Sequence, residues 1–86
     1  SAAAAPAAVT DTEALRLYQV IDRAHPDDAF ACAWASFDRV RAGEIIGTRH
    51  DGTPVMADCE GYIVFPNPNA HPGQEWFYLA RRSTRV

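Results

Sequence analysis

The stretch from residue 41 to 66, RAGEIIGTRHDGTPVMADCEGYIVFP, constrains the possible folds more than any other part of the chain. Its β-branched runs, bounded by turn residues, predict three short strands, over 44–49, 53–57 and 62–65. Asp51-Gly52 separates the first two strands, and an Asp-Gly pair there predicts a hairpin with a type I′ turn, in which both central residues have positive φ. Residues 58–61 provide a second turn before the third strand. The stretch therefore predicts a small β domain built from hairpins.

Composition narrows the class of protein. The chain has 86 residues, of which 48% are hydrophobic, and this is enough for one compact domain. A net charge of −3 argues against nucleic acid as a partner, because phosphate binding requires a basic surface. The sequence has no apolar run of the ~20 residues that a membrane-spanning helix needs, so no membrane partner is predicted. It also lacks lysine, which excludes a biotinyl or lipoyl carrier domain with a lysine-linked cofactor.

The alanine-rich residues 1–12 have no basic segment and no leucine-rich core, so they are predicted to be a flexible leader or linker rather than a signal peptide. Cys32 and Cys59 are too few for a disulfide-rich secreted scaffold. We therefore expect free thiols and a cytoplasmic location, although one disulfide between the two cysteines is also compatible with the sequence.

Two segments have an ambiguous hydrophobic pattern. Residues 14–24 follow a helix-capping pattern that ends at Glu13, yet they also alternate as a strand does. In residues 29–40, Phe30, Trp34 and Phe37 are spaced as on a helix, whereas Phe30, Cys32 and Trp34 alternate as on a strand. The residues alone leave the first segment undecided and favour a helix for the second.

The remaining segments have simpler patterns. Residues 66–73 contain three prolines and predict a loop, and residues 75–81 predict a closing strand. Five aromatic residues are predicted to lie in the core: Phe30, Trp34, Phe65, Trp76 and Phe77.

Candidate catalytic groups are sparse. The three histidines, His25, His50 and His71, lie at predicted turns and belong to no H-x-x-E or H-E-x-x-H motif. Cys59 stands between two acidic residues, which disfavour the reactive thiolate. We therefore predict neither a catalytic residue nor a metal ligand within this chain.

The order and spacing of three segments resemble the C-terminal domain of the succinylglutamate desuccinylase/aspartoacylase family, over roughly residues 13–82. The first segment is LRLYQVID at 15–22, followed by His25-Pro26. The second runs from Phe37 through Gly43-Glu44-Ile45-Ile46 to Asp51-Gly52 and Pro54-Val55. The third is IVFPNP at 63–68.

This resemblance implies a fold and a function. It implies that both ambiguous segments are strands of a mostly β, small barrel-sandwich-like domain with about six short strands and hairpin turns. The domain would span residues 13–82, with a frayed tail at 83–86. The implied enzymes are zinc-dependent hydrolases that deacylate N-acyl amino acids. Their zinc is held by an H-x-x-E motif and a second histidine in an N-terminal catalytic domain, which this chain does not include.

In that family the C-terminal domain packs over the catalytic domain and narrows the entrance to the substrate pocket. The expected partners are therefore the catalytic domain of the same polypeptide and a small-molecule substrate. This chain lacks the Asn-Glu-x-x-Tyr pattern of aspartoacylase-like members, so those residue roles cannot be transferred. Asn67, Asn69 and His71 are instead the candidates for the substrate rim, because they lie in a polar, proline-stiffened loop at the equivalent place. The alternative is a stand-alone β module that binds a protein partner through exposed Trp76 and Tyr78.

Overall fold

The computed structural model describes residues 13–84, and these residues form an all-β structure without a helix. Seven strands make two antiparallel sheets that pack together as a sandwich rather than as a closed barrel, which confirms the predicted fold class. The strands are β1 (Glu13–Asp22), β2 (Ala29–Phe30), β3 (Arg39–Val40), β4 (Ile45–Thr48), β5 (Pro54–Met56), β6 (Gly61–Val64) and β7 (Glu75–Thr84).

The larger sheet has the strand order β1-β7-β6-β3, and the smaller sheet has the order β2-β4-β5. The two long strands, β1 and β7, pair along their whole length. The core lies between the sheets, and its largest fully buried apolar side chains are those of Trp76, Phe77, Ile46, Ile63, Leu79 and Val40. Burial of these apolar side chains is the main driving force that holds the two sheets together.

The two segments with an ambiguous hydrophobic pattern have different structures. Residues 13–22 form β1, so the strand interpretation is confirmed, and no helix follows the capping pattern of residues 10–13 within the part of the chain that the structure describes. In residues 29–40 only the ends are strands, as β2 and β3, so a helix and a continuous strand are both wrong there. The chain between them crosses from the smaller sheet to the larger one. Ala31 donates to the Ile46 carbonyl of β4 (2.8 Å) at one end, and Phe37 donates to the Ile63 carbonyl of β6 (2.6 Å) at the other.

The hairpin between β4 and β5 is present, but its turn is not type I′. Of its central residues Asp51 and Gly52, only Gly52 has positive φ, at 93°. Gly52 donates to the Arg49 carbonyl (2.9 Å), and Arg49 donates to the Thr53 carbonyl (2.7 Å). This is a three-residue loop in which a type I turn is followed by a left-handed glycine. The backbone N–H of His50 is bound by Asp28 from another loop, which holds the turn in this shape.

A β-bulge explains how two consecutive residues of β7 are both core residues. Ile21 pairs with Phe77 and Asp22 pairs with Glu75, so Trp76 is an extra residue opposite β1. A bulge turns neighbouring side chains towards one face, and Trp76 and Phe77 are 1% and 0% exposed. The core prediction is therefore confirmed for these two residues.

The three other aromatic residues predicted to lie in the core are less buried than Trp76 and Phe77. Phe30 and Trp34 are partly buried and pack against the core. Phe65 is 64% exposed, so its assignment to the core is wrong. Its φ of +52° lies in the left-handed region and turns the chain out of the sheet directly after β6.

The last strand extends beyond the closing strand predicted for residues 75–81. β7 continues through Thr84, two residues beyond the predicted domain end, and Ser83 pairs with Ala14. The leader predicted for residues 1–12 lies outside the described residues. Cys32 and Cys59 are both free thiols.

Candidate functional site

The most unusual polar group is the fully buried carboxylate of Asp28, at the start of β2. Its Oδ2 accepts hydrogen bonds from the backbone N–H groups of Ala24 (2.9 Å) and His25 (3.1 Å). Arg49 Nη1 also donates to Oδ2 (2.8 Å), and the His50 N–H donates to Oδ1 (2.9 Å). We call these five residues the Asp28 junction. It ties the loop after β1 to the turn of the β4–β5 hairpin.

Hydrogen bonding fixes the charge state of Asp28. Burial by itself raises the pKa of this carboxyl, but the N–H of Ala24, the Arg49 guanidinium and the other two N–H donors outweigh that effect. The pKa of Asp28 is therefore held well below its ordinary value of 3.8. Its carboxylate is already saturated with protein donors and is 0% exposed, so it serves as a structural anchor rather than a base open to substrate.

Two histidines of this junction, both predicted to lie at turns, stack on each other. The rings of His25 and His50 stack with centroids 4.1 Å apart and planes 15° apart. His25 Nδ1 accepts the N–H of Asp27 (3.0 Å), which leaves only Nε2 of that ring as a donor. Within residues 13–84, no group of three or more His, Cys, Asp or Glu side chains is placed to hold a metal ion.

The structure places the three substrate-rim candidates together on one loop. Asn67, Asn69 and His71 are all exposed on residues 66–74, which we call the rim loop. Asn67 Oδ1 accepts the N–H of Asn69 (3.0 Å), so the Asn67 side chain shapes the turn. Gln74 Oε1 accepts the N–H of His71 (2.9 Å) and closes the loop at its other end.

Arg23, which the sequence pattern does not single out, anchors the rim loop. Its Nη1 donates to the carbonyls of Ala70 (2.9 Å) and Pro68 (3.3 Å). Its Nη2 donates to the carbonyls of Asp28 (2.6 Å) and Pro26 (2.9 Å). One guanidinium therefore joins the rim loop to the loop that follows β1. Only spatial proximity reveals this role, because these partners lie up to 47 residues away in the sequence.

A cavity of about 320 Å³ lies beside the rim loop. Its walls include Phe30, Trp34, Trp76, Pro68 and Arg23, and we call it the aromatic slot. The rings of Phe30 and Trp76 are stacked, with centroids 4.7 Å apart. The slot is therefore a recess with aromatic walls, and its lining also includes the Arg23 guanidinium and Asp28, whose carboxylate is 0% exposed.

A larger, more open groove of about 580 Å³ lies beside β3, β6 and β7 and is lined by three arginines. Arg39 pairs with Glu60 (2.7 Å). The guanidinium of Arg82 lies 3.4 Å from the hydroxyl of Tyr62. The side chains of Arg39 and Arg82 are therefore already in contact with other side chains of the groove.

The side chain of Tyr18 is half-buried next to this groove. Burial, followed by the neighbouring Cys59 thiol and Asp58 carboxylate, raises the pKa of the Tyr18 hydroxyl to about 12. The Arg81 guanidinium lies over the Tyr18 ring, 5.1 Å from its centroid. The phenol is therefore neutral near pH 7 and is not a candidate base.

The face of the four-stranded sheet that points away from the core is also apolar. Val20 pairs with Tyr78, and Leu17 and Leu15 lie on the same face two and four pairing positions further along β7. The Phe65 ring meets the Tyr78 ring edge-on, with centroids 5.9 Å apart. We call these five residues the outer patch. Its Leu15, Leu17, Val20 and Phe65 side chains are 44%, 50%, 46% and 64% exposed.

The aromatic anchors expected for the stand-alone module are only partly found at the surface. Trp76 is 1% exposed, so it cannot anchor a partner. Tyr78 is half-buried within the outer patch. Phe65, which the sequence pattern assigned to the core, is instead the most exposed aromatic residue of this surface.

Comparison with known proteins gives no match to a family model, a curated protein or a solved structure. None of the described residues, 13–84, forms a helix that is long and apolar enough to cross a membrane.

Proposed function

We propose that this chain is a non-catalytic β domain that docks through the outer patch onto a second folded domain of the same polypeptide. The resemblance noted from the sequence implies that this second domain is the zinc-dependent catalytic domain of an N-acyl amino acid deacylase. The outer patch is the observation that carries the proposal. One face of this sheet packs in the core. When the other face is also apolar and exposed to solvent, it is expected to bind a partner that covers it.

Two observations support the proposal that the outer patch is a docking surface. Val64 and Ala80 share the outer face with the patch, and they are 4% and 0% exposed, so this face already contains buried apolar residues beside the exposed ones. The patch also contains aromatic residues, Phe65 and Tyr78, and aromatic residues are enriched where proteins bind one another. A contiguous apolar layer with aromatic anchors is typical of a domain interface.

The rim loop has a place in this proposal. Asn69 and His71 are exposed on a loop that Arg23 and Gln74 hold in a defined shape. In a docked domain, such a loop can present polar groups to the substrate entrance without first having to become ordered. Zinc, in this proposal, is held entirely by the catalytic domain.

The test compares the isolated chain with the longest reading frame that contains it. Hydroxyl-radical footprinting should show the outer patch modified in the isolated chain and protected in the longer protein. Zinc content and turnover of N-acetylaspartate and N-succinylglutamate are measured on both proteins. We expect zinc and activity in the longer protein alone.

Matched double variants sharpen the test. Leu17→Glu with Val20→Glu places two charges in the outer patch and should uncouple the domains, which would appear as two unfolding transitions. Ile45→Glu with Met56→Glu is the control, because these paired residues of the other sheet are both 48% exposed. Equal modification of the patch in both proteins would overturn the docking. Protection without zinc or turnover would retain the docking and reject the deacylase assignment, and protection only by a separate protein would favour the stand-alone module.

A further inference from the structure

We propose that the aromatic slot binds a small planar aromatic carboxylate. The slot and the outer patch share no residue, so this inference does not depend on the docking proposal. Its elements are the shape of the recess, the aromatic character of its walls and the charge of Arg23.

The size of the slot fits a single ring. Its volume of about 320 Å³ is at the lower end of the range for small-molecule sites. Phe30 and Trp34 supply the accessible aromatic walls, Trp76 lines the slot with only 1% of its surface exposed, and Pro68 supplies an apolar edge from the rim loop. Aromatic rings pack favourably against one another in offset or edge-on arrangements, which favours a planar ring over a bulky aliphatic group.

The walls of the slot are held in place before any ligand arrives. Trp34 Nε1 donates to the Ile46 carbonyl (2.9 Å), so its indole is fixed to β4. Trp76 is stacked on Phe30, and the Arg49 guanidinium lies 5.6 Å from its ring centroid. A pre-formed site binds more tightly than one that must be ordered by its ligand.

The charge of Arg23 selects an anion. Its side chain is half-buried in the wall of the slot, and within residues 13–84 no carboxylate oxygen lies within 4.0 Å of its guanidinium. Neutral backbone carbonyls hold its Nη atoms. Asp28 also lines the slot, but its carboxylate is 0% exposed and is paired with Arg49. A partly buried charge without a counter-charge is unfavourable, so an anionic group at the slot lowers the free energy of the whole site.

The test uses intrinsic fluorescence, because both tryptophans of the chain line the slot. Four probes separate ring from charge: phenylacetate, cyclohexylacetate, 2-phenylethanol and acetate. We expect saturable binding of phenylacetate, with 2-phenylethanol about tenfold weaker because it lacks the charge. Cyclohexylacetate should be weaker by about threefold, and acetate alone should not bind saturably. Isothermal calorimetry on the same four probes provides a readout that is independent of fluorescence.

Two alanines of one loop provide a matched pair of variants. Ala33 and Ala35 are both exposed, but only Ala33 lines the slot. Ala33→Leu should fill the slot and weaken phenylacetate binding at least tenfold, whereas Ala35→Leu should bind as the parent does. Thermal melts confirm that both variants are folded.

Several results would overturn the proposal. The slot is not a binding site if the parent chain shows no saturable phenylacetate binding, or if Ala33→Leu binds it as well as the parent. Equal binding of 2-phenylethanol and phenylacetate would reject the role of charge, and equal binding of cyclohexylacetate would reject selection for an aromatic ring. The comparison of probes on the parent chain decides these last points even if a variant were unstable.

Discussion

The Asp28 junction and the outer patch depart from the usual distribution of polarity in opposite ways. At the junction, a carboxylate is completely buried and its oxygens accept four hydrogen bonds from the protein. At the outer patch, apolar side chains such as Leu17 and Phe65 are half or more exposed. Each of these departures is expected to have a structural or functional reason.

The difference between them separates a structural role from a binding role. The junction is chemically the most unusual place in the molecule, yet its donors and acceptors are matched within the chain. The patch is chemically ordinary, yet nothing within residues 13–84 covers it. A partner is therefore expected at the exposed apolar surface of the patch. The group with the most perturbed pKa, Asp28, needs no partner because the chain already satisfies it. The aromatic slot follows the same logic, because within residues 13–84 no carboxylate oxygen lies within 4.0 Å of the Arg23 guanidinium.

The largest expected effect is at the junction. Asp28→Ala removes one partner of a buried ion pair, which leaves the Arg49 guanidinium without its counter-charge and three backbone donors without their acceptor. We expect a loss of about 3–5 kcal/mol in the free energy of unfolding, measured by urea denaturation. Glu60→Ala is the control, because its pair with Arg39 is exposed and should contribute at most about 1 kcal/mol. Equal losses in the two variants would remove the distinction between buried and exposed pairs.

The second prediction concerns pH. The pKa of Asp28 is lower in the folded protein than in the unfolded chain, where it is about 3.9. Its contribution to stability is therefore complete above that unfolded value and is lost as the pH falls towards the folded one. Below pH 4, the stability of the parent should fall more steeply than that of Asp28→Asn, by up to about 1.4 kcal/mol per pH unit. Parallel pH profiles from chemical denaturation would contradict this.

Substitutions in the outer patch should have a smaller effect on the isolated chain. Leu17→Ser and Val20→Ser alter side chains that are about half exposed, so each should change the free energy of unfolding by only about 0.5 kcal/mol. The same substitutions should weaken docking in the longer protein, because they remove apolar area from the interface. A loss of several kcal/mol in the isolated chain would show that the patch is part of its core.

The smallest effect on stability is expected at the rim loop. Asn69→Ala and His71→Ala remove exposed side chains while leaving the backbone hydrogen bonds of the loop in place. We expect no measurable change in melting temperature, and a few-fold change in KM for the acyl amino acid in the longer protein. Unchanged KM and acyl preference in both variants would exclude Asn69 and His71 from the substrate site.

Local patterns in the sequence predicted a large part of this fold. The β4–β5 hairpin was predicted because Gly52 and the flanking β-branched residues act over a few positions along the chain. The burial of Trp76 and Phe77 was also predicted, because large aromatic side chains dominate small cores. The rim loop was located by its prolines, which cannot sit inside a sheet.

Other features could not be predicted because they depend on distant contacts. The turn type at Asp51-Gly52 is set together with a hydrogen bond from His50 to Asp28, 22 residues earlier. The exposure of Phe65 follows from its left-handed backbone, and its N–H is held by Ser36, 29 residues earlier. Neither contact leaves a periodic signal in the sequence. The assignment to a deacylase family rests on the order of short motifs and stays a prediction.

By itself, the sequence determined that its central part, residues 41–66, forms short strands joined by turns, because turn residues and β-branched runs bias the backbone locally. Only the tertiary structure decided which charges are satisfied, since Asp28 meets Arg49 and Arg23 meets the rim loop across 21 to 47 residues. It also decided which apolar residues remain in solvent, because that depends on the pairing of β1 with β7 and on its bulges. The physical reason is that burial and charge compensation are properties of the assembled sheets, whereas turn and strand preferences are properties of a few neighbouring residues.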